Sequence, residues 1–156
     1  MLYFVNNLFF MKSYAILYIG GDMKAVEHFM QGFSCSESIV KEAIDLGLCD
    51  ESALSIATAF SGGMGSGCLC GAIAGSQIVI GELFGKNNKY NNEVIARTLA
   101  KEFITKFKEA HKVTCCRVLS KDFEFHSPER KKHCCNFVEF CSKTLQDTIK
   151  INVKNG

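Results

Sequence analysis

Apolar residues recur at helical spacing through most of the chain beyond residue 23. They lie three and four positions apart, which places them on one face of an α-helix. Alternating patterns typical of β-strands are weak. We therefore predict an all-α bundle of about five or six helices. The predicted helices cover residues 24–33, 35–47, 50–60, 69–81 and 91–112, and a last one begins at Ser127-Pro128.

Two of these helices have recognisable start signals. Ser34 is followed three residues later by Glu37, the form of a capping box in which each residue satisfies a backbone N–H of the other. Gly47 is a typical end for the helix that follows. Ser127-Pro128 predicts the start of the last helix, because proline suits the first helical position.

A glycine-rich segment leads into an uncharged run from Leu69 to Gly81. Gly67, Gly71 and Gly75 recur every four residues, so one face of a helix there would carry no side chains. Such a face lets another backbone approach closely, either within the chain or across a homodimer. Because the run is apolar on all sides, we predict a buried central helix.

Length and charge narrow the classes of function. The chain has 156 residues, enough for one domain with its own core. The net charge of +2 gives no basic footprint of the kind that nucleic-acid binding requires. We predict a single helical, cysteine-containing domain over residues 23–150, preceded by an apolar extension over residues 1–22.

The apolar extension has three open interpretations. It is an extra strand or helix packed on the domain, an upstream start with Met23 as the working start, or a membrane anchor or unusual signal. Asn6, Asn7 and Lys12 interrupt its apolar run, which argues against a signal peptide or a membrane span. We therefore expect a cytoplasmic protein without membrane association. In the cytoplasm thiols stay reduced.

The nine cysteines are the unusual feature of the composition. No Cys-x-x-Cys occurs, which excludes thioredoxin-type, zinc-finger and ferredoxin-type motifs. Any cysteine site must therefore gather residues that are distant in sequence. The competing interpretation is that individual cysteines only fill core space. Cys49, Cys68 and Cys141 are best explained in that way or as spares.

Several cysteines occupy positions that favour a thiolate. Cys35 and Cys70 lie at predicted helix starts, where unpaired N–H groups stabilise an anion. Cys115 and Cys116 precede Arg117, whose positive charge has the same effect. A further doublet, Cys134 and Cys135, lies in the last helix. The basic run over residues 130–132 is interpreted as a solvated helix face.

Four stretches together resemble the C_GCAxxG_C_C family of redox-active proteins. They are MKAVEHFMQGFSCSESIV from Met23, GGMGSGCLCGAIAGSQIVIGELFG, CCRVL and HCCNFVEF. The resemblance covers roughly residues 23–147. It implies a small helical domain and a site formed by Cys35, Cys70, Cys116 and Cys134, with Gly71, Ala72 and Gly75 as motif neighbours of Cys70.

The resemblance leaves some assignments open. The doublets allow Cys115 in place of Cys116 and Cys135 in place of Cys134, and Cys68 could compete with Cys70. The resemblance also implies a relation to the iron–sulfur-binding part of split-Soret cytochromes. Covalent haem is not expected, since the chain has no Cys-x-x-Cys-His.

Three functional hypotheses follow. In the first, the four cysteines bind a [2Fe–2S] or [4Fe–4S] cluster for electron transfer with a redox partner protein. In the second, Cys35 and Cys70 carry out metal-free thiol–disulfide chemistry. In the third, the four thiolates bind zinc or another soft metal. Whether the protein is an enzyme, its substrate and its oligomeric state stay open.

Overall fold

Helices form nearly all the regular structure in the computed structural model, which describes residues 24–86 and 93–154. Within these ranges the backbone forms seven α-helices, no strand and a single isolated β-bridge. The predicted all-α fold is therefore confirmed. The helices are α1 (Lys24–Met30), α2 (Cys35–Asp45), α3 (Ser52–Thr58), α4 (Gly71–Phe84), α5 (Glu93–His111), α6 (Cys116–Leu119) and α7 (Pro128–Lys154).

The central helix of the fold is α4. Its neighbours are α2, which forms its most extensive interface, together with α3, α5 and α7. Every residue from Gly71 to Ser76 is buried, and so are Val79, Ile80 and Phe84 further along. The predicted buried, glycine-rich central helix is thus present. It extends beyond the predicted end at residue 81, to Phe84.

Two glycines of α4 allow α2 to cross it at very short range. A Cβ added at Gly75 would lie 2.6 Å from the carbonyl oxygen of Ser36, and one added at Gly71 would overlap the sulfur of Cys35. The predicted close approach therefore occurs within the chain. Gly67 does not share this face. It has a φ of +72° and belongs to a left-handed turn before the helix, because consecutive glycines there permit that backbone conformation.

The capping box of α2 is present in full. Ser34 Oγ accepts the backbone N–H of Glu37 at 3.3 Å, and the Glu37 carboxylate accepts the N–H of Ser34 at 2.8 Å. This reciprocal pair fixes the point at which α2 starts and hence the position of Cys35, its first residue. At α7, Ser127 Oγ accepts the N–H of Arg130, and Pro128 is the first helical residue, as predicted.

Some expected boundaries were wrong. Helical spacing extends to Phe33, but the first helix ends at Met30, in keeping with the break that Gly32 marks in the sequence; Gly32 has a φ of +118°. Helical spacing places Met30 on the same face as Val26 and Phe29, but Met30 is 57% exposed. The short helix α6 was not predicted. The apolar extension over residues 1–22 lies outside the described residues, and no described helix is long and apolar enough to cross a membrane.

Candidate four-cysteine site

Backbone pairing brings two distant cysteines to the same place. The N–H of Cys70 donates to the carbonyl of Thr114 at 2.8 Å, and the N–H of Cys116 donates to the carbonyl of Cys68. Leu69 and Cys115 form the antiparallel bridge between them. Because side chains alternate along extended backbone, Cys70 and Cys116 lie on one side of this pairing and Cys115 on the other.

Two helices complete the arrangement. Cys35 is the first residue of α2, and Cys134 lies in the second turn of α7. The four cysteines predicted from the family resemblance line one cavity of about 20 Å³. The other residues that line it are Leu119, Ser120 and Phe137. Four segments far apart in sequence therefore place one thiol each around a single space.

The remaining five cysteines lie elsewhere. Cys115 Sγ contacts the carbonyl of Gly67 at 3.2 Å, and Cys135 Sγ contacts Met30 Sδ at 3.5 Å. The structure thus separates both doublets, with one member at the cavity and one outside it. Cys68 is exposed, whereas Cys49 and Cys141 are buried in the core.

Hydrogen-bond donors surround the thiols of the cavity. The Cys35 sulfur accepts backbone N–H groups of Gly62 and Ser36, and the Cys70 sulfur accepts those of Ala72 and Ile73 at the start of α4. The guanidinium of Arg130 donates to Cys116 Sγ at 3.5 Å. These groups all stabilise negative charge on sulfur.

Burial nevertheless has the largest effect on the pKa of three of the thiols. It raises the pKa of Cys70 to about 12, assisted by the adjacent Cys35 thiol. It also raises the pKa of Cys134 to about 11, again with Cys35 contributing and Arg130 opposing. The pKa of Cys35 is raised by burial as well, despite the N–H groups that oppose the shift. The helix starts were expected to favour thiolates at Cys35 and Cys70, but burial outweighs the N–H groups and raises the pKa of both thiols.

Three of the four cysteines also face solvent through a larger opening. Cys35, Cys116 and Cys134 line a cleft of about 380 Å³, which we call the cysteine cleft. Its walls include the rings of Phe29, Phe33 and Phe125 and the side chains of Arg130 and Lys131. Cys70 does not reach this cleft and is the deepest of the four thiols.

Arg130 is the site residue that the sequence interpretation missed. It was placed on a solvated helix face, but it is only partly exposed, donates to Cys116 and lies 4.2 Å from the centre of the Phe125 ring. Its place in the site could have been inferred from its position one helical turn before Cys134. Residues four apart share a helix face.

Metal ligation has a stricter geometric requirement than a shared cavity. Within residues 24–86 and 93–154, no group of three or more histidine, cysteine or carboxylate side chains is arranged to hold a metal ion. His133, adjacent in sequence to Cys134, has its Nε2 2.8 Å from the Leu119 carbonyl. It is not among the residues that line the cavity.

The protein is thus a small helical protein in which four cysteines, distant from one another in sequence, line one cavity. The chain belongs to the family described as "Putative redox-active protein (C_GCAxxG_C_C)", whose model matches residues 33–152. The resemblance drawn from the sequence is thereby confirmed. Comparisons with curated proteins and with solved structures gave no match.

Proposed function

We propose that Cys35, Cys70, Cys116 and Cys134 bind an iron–sulfur cluster through which the protein transfers electrons. The observation that carries this proposal is the single cavity lined by these four thiols. Four cysteine thiolates are the usual ligand set of [2Fe–2S] and [4Fe–4S] clusters. When bound, such a cluster would accept and release electrons without a change in the covalent structure of the chain.

The surroundings of the thiols suit a negatively charged group. The N–H groups that point at the Cys35 and Cys70 sulfurs and the guanidinium of Arg130 would offset the charge of four thiolates. Hydrogen bonds to the sulfurs and restricted access of water are the means by which proteins set cluster potentials. Phe137 and Leu119, which line the same cavity, would restrict water.

The proposal requires the cavity to widen. A space of about 20 Å³ holds about one water molecule, which is too little for a cluster. The cysteine cleft shares Cys35, Cys116 and Cys134 with the cavity and provides an entry path and room for displacement. Binding would also replace the thiol protons, because ligating thiols are deprotonated.

The test is anaerobic purification followed by reconstitution with ferrous iron and sulfide. We expect brown protein with visible absorption and stoichiometric iron and sulfide. Cys70→Ala should lose most of the iron, whereas Cys49→Ala should retain it. These two cysteines form a matched pair, because they are exposed by only 5% and 7%, respectively. A colourless wild-type protein, or equal iron in both variants, would contradict the proposal.

A second candidate is metal-free redox chemistry between Cys35 and Cys70. It is favoured by the position of the Cys35 sulfur directly against Gly71, the neighbour of Cys70. Two thiols would form one disulfide and pass two electrons and two protons to an acceptor disulfide. The raised pKa values of both thiols weigh against it, because the thiolate is the reactive form.

Thiol titration separates the two candidates. The reduced, metal-free protein has nine thiols. Disulfide chemistry predicts the reversible loss of two of them, with Cys35 and Cys70 joined in one cross-linked peptide. Zinc binding, the third hypothesis, would appear in elemental analysis as zinc in place of iron in protein that has not been reconstituted.

A further inference from the structure

A second cleft lies next to the cysteine cleft and contains a different set of side chains. Its volume is about 380 Å³, within the range usual for small-molecule sites. Gly62, Phe125 and Arg130 line both clefts, so the two are neighbours that share a wall. We call it the basic cleft. The residues that line it are Gly62, Gly65, Ser66, Gly67, Arg117, Ser120, Lys121, Phe123, Phe125 and Arg130.

Three cations face this cleft without a compensating anion. Arg117, Lys121 and Arg130 line it, and no carboxylate of the described residues does. None of the three forms an ion pair with a carboxylate in the described parts of the chain. The nearby acidic residues Asp122 and Glu124 are exposed and do not line the cleft. A cleft lined by charges of one sign concentrates ligands of the opposite sign.

The arginines are held in place by the glycine-rich backbone and by an aromatic ring. Arg117 Nη2 donates to the carbonyl of Ser66 at 2.8 Å. A Cβ at Gly67 would lie 3.2 Å from both Cβ and Nε of Arg117, so glycine gives this side chain its room. The guanidinium of Arg130 lies over the ring of Phe125. Prepositioned guanidinium groups are suited to phosphate, which they bind through paired hydrogen bonds.

Two aromatic rings complete the lining. Phe125 is 58% exposed, and Phe123 stacks on His133 with its ring partly accessible. Arg130 lies over one face of the Phe125 ring, and the part of the ring that stays exposed provides an apolar surface for a planar ligand group. The cleft thus combines positive charge for phosphates with a stacking surface.

We propose that the basic cleft binds a phosphate-bearing small molecule with a planar ring, of the size of a nucleotide. The bound molecule would lie beside the cysteine cleft, separated from it by Arg130 and Phe125. The site is not a phosphate loop of the nucleotide-triphosphatase type, since Cys68 and Leu69 follow Gly67 where that motif has lysine and serine or threonine. Arg117 and Lys121 line the basic cleft but not the cysteine cleft, so their contribution to binding does not depend on iron at the cysteines.

The experiment is calorimetric titration of the full chain with ADP and, separately, with adenosine. ADP should bind and adenosine should not, and ADP affinity should fall steeply with rising salt concentration. Arg117→Ala and Lys121→Ala should each weaken ADP binding at least tenfold. Lys106→Ala, an exposed cation on α5 that does not line the cleft, should leave it unchanged.

Controls separate binding from folding. Lys121 is exposed, so Lys121→Ala should melt as the wild type does, even if Arg117→Ala does not. When both proteins are free of metal, Cys70→Ala should bind ADP as the wild type does. Equal binding of adenosine and ADP, absence of ADP binding, or equal ADP affinity in Lys121→Ala and Lys106→Ala would overturn the proposal.

Discussion

The sulfur of Cys35 occupies the space in which a side chain at position 71 would begin. Cys35 is the first residue of α2 and Gly71 the first of α4, so this contact fixes how the two helix starts meet. The carbonyl of Phe60 lies 3.1 Å from the same point and leaves no room for displacement to that side. Only glycine therefore fits at position 71 while the Cys35 sulfur lies where it does.

Gly71→Ala should disrupt the cysteine site. Its Cβ would overlap the Cys35 sulfur, and the two helices would have to separate or Cys35 to rotate away. Overpacking of this kind costs about 1–3 kcal/mol of unfolding free energy. Under the proposed function, the variant should also lose most of its reconstituted iron. Urea unfolding and iron analysis measure the two effects.

The matched control is Gly81→Ala in the same helix. A Cβ at Gly81 meets no heavy atom within 4 Å, and the residue is exposed. Alanine should there stabilise the protein by up to about 1 kcal/mol, because glycine is a poor helix former. Similar unfolding midpoints for the two variants would show that the Cys35–Gly71 contact does not constrain the site.

A buried carboxylate ties three helices together. Glu42 of α2 accepts the N–H of Ala25 of α1 at 3.0 Å and the hydroxyl of Ser142 of α7 at 2.7 Å. Glu42→Ala should cost about 1–3 kcal/mol for each buried donor left unsatisfied. Glu42→Gln keeps one acceptor oxygen and should cost less. Glu139→Ala, an exposed glutamate of α7, should leave the urea midpoint unchanged, and a loss as large as that of Glu42→Ala would contradict this account.

Most of the fold could be predicted from local signals. The capping box at Ser34 and the Ser127-Pro128 start depend on neighbouring residues alone, and both are present in the structure. The short α6 was missed because tertiary contacts decide it. In α6, Cys116 is held by its N–H bond to Cys68, which is distant in sequence.

In the candidate site, too, local sequence indicates some features, whereas others depend on contacts between distant parts of the chain. Choosing between Cys115 and Cys116 from the residues alone was impossible, because the choice depends on pairing between residues 68–70 and 114–116. Arg130 was interpreted as part of a solvated helix face, although a spacing of four residues places it on the same helix face as Cys134. Spacing alone could not predict that this face of α7 lies toward Cys116 and the basic cleft. The rotation of α7 about its own axis is set by the packing of the whole domain.

Acid should weaken the protein through the capping box of α2. Burial alone would raise the pKa of Glu37, but bonds from the Ser34 N–H and the Thr58 hydroxyl outweigh it and hold the pKa below 4.5. The stability this contributes is complete above pH 4.5, the unfolded value, and is lost as pH falls through the lower folded value.

Urea unfolding from pH 7 to pH 3 measures this contribution. The Glu37→Gln variant should be less stable than the wild type at pH 7, and the difference should shrink below pH 4.5. Burial alone would raise the pKa of Asp45, but bonds from Lys41 and His28 outweigh it and lower the pKa, so Asp45 gives both proteins a shared acid dependence. A difference that stays constant down to pH 3 would show that the Glu37 charge contributes nothing.

Alkylation of the reduced, metal-free protein should follow exposure and ionisation of the thiols. Cys68 is exposed and should react first with iodoacetamide at pH 8. Burial raises the pKa of Cys70 to about 12 and also raises that of Cys141. A thiol with a pKa of about 12 is ionised at pH 8 in about one molecule in ten thousand, so Cys70 should react late. Cys141 should also react late, because it is fully buried and its pKa is raised. Mass spectrometry of peptides gives the order, and urea-unfolded protein, in which all nine should react at similar rates, is the control. If Cys35 or Cys70 reacts before Cys68, an activated thiolate is present and metal-free redox chemistry replaces cluster binding as the favoured function.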